Sequence, residues 1–585
     1  MTRLRSRTTT AGMAAGVVAL ALLASGCVGI PDEGPVVEAE ADVRRGEQLG
    51  YFNDPPGPTP GESATDIVKH FLDAQAAIPL QTNTAKEFLT SEESATWRPQ
   101  RQIITYDAAS FPQGSNQVTV ELDGAHRLDS RGSWRGPLAP DQTELSFRMT
   151  RVDGEWRISD APDALVVPST WFDRAFRRVS LFFMDPTARI LVPEPVYVPR
   201  GDSLASALVE GLLAGPVVRS PGVELSFLPE GLEVDLSVTV TESGIADVPL
   251  IGGVSMPTEE DATLLVAQLA RTLAQDPALT GFRVTIDGEP LTLADGTTPF
   301  GMDQGEALDP AGSRATSQLF GLRDGRLVSG TADSLGLAPG PMGQTEVGVR
   351  SVGVTLDGSR VAGVLDGGDA VQVTDVRTEG AELVEVASDS TDLAPPVWDD
   401  AERLWLLDRA PGGARISVVV GERPREVDVP GVSGRRVSHV LVSRDGSRLV
   451  AVVDRRGRDQ VVVSRLRYDA RGRALGGTPA RKIAWEDQTG LSVVDIGWSS
   501  PTSIVVAHRL GGDLFQVRTL LVDGAPAGLP GVAVTVRQRP RMLVTSPRVT
   551  DPLYVLTSTG LAEVIGGLRT GDVDERITFL TYAGG

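Results

Sequence analysis

VRSVGVTLDGSRVAGVLDGGDAVQVTDV, residues 349–376, returns 88 residues later as VSHVLVSRDGSRLVAVVDRRGRDQVVVSRL, residues 437–466. Val352 and Val354 align with Val440 and Val442, Asp357-Gly358-Ser359-Arg360 with Asp445-Gly446-Ser447-Arg448, and Asp366 with Asp454. Apolar residues alternate within each copy, and the Asp-Gly pair marks a tight turn between two strands. A weaker copy, Arg403-Leu404-Trp405-Leu406-Leu407-Asp408, lies about midway, so the repeating unit is half the separation; further copies occur at Trp498–His508 and Ser546–Ser558. A hairpin-bearing unit of roughly 40–45 residues is the pattern of β-propeller blades. Residues 315–585 are therefore expected to form an all-β propeller of five to seven blades, six being favoured. Leu319–Gly330 is expected to pair with Ile577–Tyr582 and close the ring.

Upstream, the period changes. Val179, Leu181 and Phe183 alternate as a strand. Asp202 or Ser203 then caps a helix with Leu204, Leu208 and Leu212 on one face, stopped by Gly215-Pro216. After the strand Ile245–Leu250, a second helix follows Thr258, with Ala262, Leu265, Leu269 and Leu273 in phase; Phe282, Val284 and Ile286 lead as a strand into Asp287-Gly288. Strands alternating with helices predict a small α/β domain over residues 173–300. Residues 62–172 read as helices followed by strands. Ser63 and Asp66 have capping-box spacing ahead of Ile67, Val68, Phe71 and Leu72, and a short helix is expected from Thr84. Val118, Val120 and Leu122, then Leu145, Phe147 and Met149, alternate, and Asp153-Gly154 turns into Trp156-Arg157-Ile158. This order predicts an α+β cone with one curled antiparallel sheet.

The N-terminus is of another kind. Arg3, Arg5 and Arg7 precede an apolar run from Ala11 to Ala24, and Ser25-Gly26-Cys27 follows. A basic start, a short apolar segment and small residues are the parts of a secretory signal. The run is too short for the roughly 20 residues that a spanning helix needs. Cys27 is the only cysteine, so intramolecular disulfides and C-x-x-C centres are excluded. Residues 1–26 read as a signal peptide cleaved near Cys27, and the resemblance of Leu23–Cys27 to a bacterial lipobox implies cleavage between Gly26 and Cys27. Residues 27–61, polar, acidic and rich in proline, read as an extended tether.

Composition narrows the chemistry. The 585 residues carry 55 Lys+Arg against 77 Asp+Glu, a net charge of −22, which argues against a phosphate-binding surface for nucleic acid. Removal of residues 1–26 takes away three arginines and leaves 52 basic against 77 acidic. The only lysines are Lys69, Lys86 and Lys482, so no G-K-[ST] phosphate loop occurs. No G-x-S-x-G elbow, H-E-x-x-H or Cys/His zinc spacing is present. His439 and His508 fall in predicted strands. Asp399/Asp400 and Glu259/Glu260 read as solvated acids rather than an acid and base for glycoside chemistry, and Arg435-Arg436 and Arg455-Arg456 read as solvated loop charges, a seat for a carboxylate or phosphate partner being the alternative. The Asp-Gly pairs read as turns, because they lack the clustered oxygens that calcium requires. No catalytic residue, cofactor or metal site is expected.

Several stretches carry resemblances. The cone resembles the nuclear-transport-factor-like fold, and LVEGLLAGP, LVAQLARTLAQDP and FRVTIDGEPL resemble the GerMN domain. Leu23-Ala24-Ser25-Gly26-Cys27 resembles a bacterial lipobox, with Ala24 where a larger aliphatic residue is usual. With PTPGESATDIVKHFLDA, AKEFLTSEESATW and RRVSLFFMDPTARILVPE, the whole chain resembles the actinobacterial LpqB lipoprotein family. That resemblance implies S-diacylglycerol and N-acyl groups on Cys27 and a lipid-anchored place on the outer face of the cell membrane. It also implies a non-enzymatic accessory role beside the extracytoplasmic domain of an MtrB-like sensor kinase in a two-component system. The competing expectation is a protein that binds cell-wall glycan or peptidoglycan fragments.

Overall fold

The computed structural model describes residues 53–112, 117–201, 203–216, 220–312, 315–421, 423–483, 492–527, 533–564, 570–571, 574 and 576–584. The expected signal peptide, Gly26, Cys27, most of the tether and Asp202 lie outside these residues.

Ser63 caps the helix Ala64–Gln75: its Oγ accepts the Asp66 N–H at 3.2 Å and donates to the Asp66 carboxylate at 2.6 Å. Ile67, Val68, Phe71 and Leu72 pack on Val118, Val120, Phe147 and Ile158. The second helix is Asn83–Lys86 behind Thr82, and Glu87 closes it rather than guarding its start. A side-chain cap appears instead at Thr90, whose Oγ1 accepts the Glu93 N–H ahead of Ser91–Thr96.

The single curled sheet expected here is replaced by two four-stranded sheets. One orders Ala108–Ser110, Gln117–Asp123, Glu144–Val152 and Glu155–Asp160. The other orders Trp134–Pro137, His126–Asp129, Gln102–Tyr106 and Leu165–Pro168, its last two strands parallel. Parallel neighbours need a long crossover, here everything between Tyr106 and Leu165, so no local pattern announces the pair. The last part of the expected tether also belongs to this domain. Asn53 and Ile78 exchange backbone hydrogen bonds at 3.1 and 2.9 Å, and the Gly61 N–H reaches the Glu155 carboxylate at 2.8 Å.

In the next domain Phe176–Met184 pairs antiparallel with Leu191–Pro199 along its full length. The second of these strands was not anticipated, because LVPEPVYVP carries three prolines, which cannot donate to a ladder. Pro193 and Pro195 sit opposite Phe182 and Ser180, whose own amides point away from this pair. The Ser180 N–H donates to Gln275 Oε1 at 2.7 Å and the Phe182 N–H to Thr272 Oγ1 at 3.1 Å. Gln275 and Gln268 return amide hydrogens to the Ser180 and Phe182 carbonyls at 2.6 and 3.0 Å. The helix Glu259–Leu273, capped by Thr258, and Gln275 just beyond it thus cover an edge that would otherwise be open to pairing. Leu265, Leu269 and Leu273 of the same helix join residues of the parallel strands Ile245–Ile251 and Gly281–Ile286 and of the helix Leu204–Leu213 in one buried cluster.

The C-terminal domain contains, among the described residues, six meander sheets of four strands, the fourth carrying a short extra strand. In the first, Leu319–Arg323 pairs antiparallel with Ile577–Tyr582, so the two ends of the domain share one sheet. The innermost strands (Ile577–Tyr582, Val349–Val354, Val397–Trp398, Val437–Val442, Val493–Ser500 and Met542–Val544) follow one another around a closed ring. At Asp357-Gly358 and Asp445-Gly446 only the glycine is left-handed. The aspartate instead acts through its side chain: Asp357 Oδ1 accepts from the Ser359 N–H at 3.0 Å and the Thr355 hydroxyl at 2.8 Å. These carboxylates are spent on their own turns.

Candidate functional site: the ionic junction and the propeller channel

The strand Leu191–Pro199 positions Glu194 against the fourth propeller sheet. Arg448 Nη2 lies 2.6 Å from Glu194 Oε1 and 2.6 Å from the Pro193 carbonyl. Arg465 Nη1 donates to the same Glu194 oxygen, and its Nη2 lies 3.3 Å from Glu224 Oε2. All four side chains are buried. Burial opposes ionisation of Glu194, but Arg465 and Arg448 outweigh it and hold its carboxyl below the usual range. The equivalent turn of the other copy lacks the site. Arg360, the counterpart of Arg448, remains half-exposed over the Trp398 ring with Glu402 at 3.4 Å, whereas Arg448 is drawn into a junction between domains.

The junction continues on both sides. Arg178 Nε meets Asp523 at 3.1 Å and its Nη1 meets Thr502 Oγ1 at 3.2 Å. The Tyr468 N–H donates to the Gly222 carbonyl at 2.7 Å. Arg403 stacks over the Tyr468 ring at 4.0 Å and holds Asp399 at 2.7 Å, and Asp399 also accepts from Trp405 Nε1 at 2.9 Å. Asp399 is therefore not the solvated acid expected from its neighbour Asp400. It is buried because Arg403 and an indole satisfy it. Ala525 of the propeller joins Trp171, Phe172 and Phe176 in one apolar cluster, so all three domains meet.

A Cβ on Gly222, which has φ of +81°, would stand 2.4 Å from the Tyr468 carbonyl. Gly222→Ala is expected to destabilise the junction by roughly 1–3 kcal/mol through backbone strain, read as a lower denaturant midpoint for the full chain.

The ring of inner strands encloses a channel cavity of about 270 Å³. Ser438, His439 and Asp495 come together on its wall: Ser438 Oγ lies 2.9 Å from His439 Nδ1, and His439 Nε2 lies 3.6 Å from Asp495 Oδ1. The latter distance exceeds a hydrogen bond, so the carboxylate does not orient the imidazole as a hydrolytic triad requires. Asp495 is instead turned to the Leu543 and Ile496 amides at 2.7 and 2.9 Å, and burial holds its carboxyl above the usual range. His508 bonds Gln516 at 3.2 Å. At the far end of the channel, beside Gly584, Arg444 donates to Ser546 Oγ and the Ala583 carbonyl. Burial pushes its pKa down to about 10. Glu259 and Glu260 are exposed in the first turn of their helix, as expected.

A GerMN-type α/β domain between an N-terminal α+β domain and a C-terminal β-propeller defines the class: a multi-domain protein whose modules share one buried junction. Family models match at residues 57–173 (Lipoprotein LpqB, N-terminal domain), 180–292 (Sporulation and spore germination) and 325–561 (Lipoprotein LpqB beta-propeller domain). The two LpqB models together span well over half of the chain, and the chain belongs to the lipoprotein LpqB family. It is 27% identical to Lipoprotein LpqB of Thermobifida fusca, covering 89% of this chain and 91% of that protein. For Lipoprotein LpqB of Streptomyces avermitilis the identity is 26%, covering 96% and 97%. Among solved structures, the first GerMN domain of the sporulation protein GerM from Bacillus subtilis is 23% identical, covering 21% of this chain and 94% of that one, with a TM-score of 0.18. A likeness at that level adds nothing to the assignment. Among the described residues no helix is long and apolar enough to cross a membrane.

Proposed function

We propose that the protein is a non-enzymatic accessory of a two-component sensor kinase of the MtrB type, held on the outer face of the cell membrane by lipid on Cys27. The carrying observation is the junction built on Glu194, Arg448 and Arg465, which fixes the domains as one presenting body. The kinase as partner comes from the family resemblance. The lipid follows from a single cysteine placed at the end of a signal-like run in a family named for lipoproteins. Confinement to one membrane raises the effective concentration of both partners, so a weak interface suffices. The glycan-binding alternative calls for exposed aromatic rings, and the large apolar side chains exposed among the described residues are all aliphatic or methionine.

The test is crosslinking of the full chain in intact membranes followed by identification of the captured partner, run beside a glycan-binding screen. Enrichment of a sensor kinase, together with altered kinase autophosphorylation when the protein is removed, is expected. Selective glycan binding without kinase enrichment would establish the alternative.

A further inference from the structure

The ends at which the inner strands begin carry a surface that the kinase reading leaves unassigned. The loop before Val437–Val442 holds Arg435 and Arg436, and the turn after Arg448–Asp454 holds Arg455, Arg456 and Arg458. The two segments touch, because the Asp454 N–H donates to the Arg436 carbonyl at 2.8 Å. All five arginines are exposed. In a chain with 77 acidic residues, the guanidinium groups of Arg435, Arg455, Arg456 and Arg458 have no ion pair among the described residues. The neighbouring carboxylates are already engaged. Asp392 lies between Arg350 and Arg409 at 2.6 and 2.9 Å. Asp454 accepts the Gly457 N–H at 2.7 Å and has Arg436 at 3.6 Å, and Asp459 accepts the Val493 N–H at 2.8 Å. Unpaired like charges held together repel one another and weaken the compact state, so the cluster costs the fold stability and returns none.

A groove of about 750 Å³ is lined by Arg409, Arg435 and Arg436 together with the engaged Asp392, Asp454 and Asp459, and Arg455, Arg456 and Arg458 follow Asp454 in the chain. It shares Arg409 and Ser438 with the channel cavity, whose wall adds Pro396, Val440, Met542 and Phe579. The surface thus combines a cationic rim with an apolar recess. We infer that it is a docking groove for an acidic polypeptide segment, with carboxylates on the arginines and an apolar side chain in the channel mouth. Guanidinium suits this role because its planar fork binds carboxylate bidentately. A phosphate polymer would have no use for the apolar recess, and a flat bilayer could not enter it. The inference concerns the chemistry of the surface, whichever protein supplies the segment.

The test measures binding of a fluorescent peptide of alternating Glu and Leu to the full chain in neutral detergent, against the same peptide with Gln for Glu. The Glu peptide is expected to bind about tenfold or more tightly and to weaken as salt rises. Arg435→Glu/Arg455→Glu/Arg456→Glu, all at exposed positions, is expected to abolish that preference without lowering the melting temperature. Arg435→Lys/Arg455→Lys/Arg456→Lys is expected to retain part of it. Equal binding of the two peptides, an unchanged preference in the charge-reversed protein, or capture of phosphatidylglycerol vesicles or polyphosphate in place of the peptide would overturn the inference. Kinase crosslinking that survives charge reversal would overturn this surface and leave the proposed function standing.

Discussion

Replacing Glu194 by alanine is expected to destabilise the junction between the GerMN-type domain and the propeller more than any other single substitution considered. The change removes the carboxylate oxygen that Arg448 and Arg465 share and leaves two guanidinium groups in a site that excludes water. Breaking a buried pair by deleting one partner costs about 3–5 kcal/mol, mostly as the penalty of the charge left behind. The melting temperature should fall by roughly 5–10 °C, or a separate early transition should appear as the domains part. A companion variant with apolar residues at Glu194, Glu224, Arg448 and Arg465 should recover most of the loss, since well-packed apolar replacements of buried ion clusters are often neutral or better. Acid should act in the same direction as the deletion. The folded-state pKa of Glu194 lies below its unfolded value, so its contribution is complete above the unfolded pKa and drains away as pH falls through the folded one. Wild type should therefore lose stability more steeply than Glu194→Ala on acidification below about pH 4.5. Equal melting curves for the two proteins at neutral pH would remove the ion cluster from any structural role.

How much of this could be read beforehand depends on the range of the interaction. The propeller was legible because its signal is local and repeated: alternating valines on either side of Asp357-Gly358 and again of Asp445-Gly446. The closing pair of Leu319–Arg323 with Ile577–Tyr582 followed from topology alone, since a ring of meanders needs its ends joined. The strand Leu191–Pro199 was missed because prolines ordinarily argue against a ladder. They are tolerated here where the opposing amides face the Gln275 and Thr272 side chains. Nothing in a helical period separates a solvated glutamine from one that covers a strand edge, as Gln268 does. Glu194, Arg448, Arg465 and Asp399 posed the hardest case. In a chain with 77 acidic residues a carboxylate is by default a surface group, and only the meeting of distant domains makes these the exceptions. The Arg435-Arg436 and Arg455-Arg456 pairs looked isolated in sequence, and the antiparallel return of one sheet brings them side by side.

Replacing Cys27 by serine is expected to move the protein from the membrane fraction to the soluble one while leaving the body folded. The argument is one of additive burial. Each acyl methylene contributes about 0.8 kcal/mol on entering hydrocarbon, so one chain binds reversibly while two or more hold firmly. The rest of the molecule offers little in compensation. It carries 77 acidic against 52 basic residues once the first 26 are removed, and an anionic bilayer repels such a body. Serine cannot form the thioether to diacylglycerol, so all acyl chains are lost at once. The junction around Glu194 is built from residues of the GerMN-type domain and the propeller, so the melting curve of the purified variant should match that of the wild type. Kinase regulation should nevertheless disappear, because the partner then meets the protein at bulk concentration rather than within one membrane. Mass spectrometry of the mature N-terminal peptide and fractionation of cells carrying either form provide the measurement. A free thiol on wild-type Cys27, or a serine variant that stays in the membrane and still regulates, would mean that something other than lipid holds the protein in place.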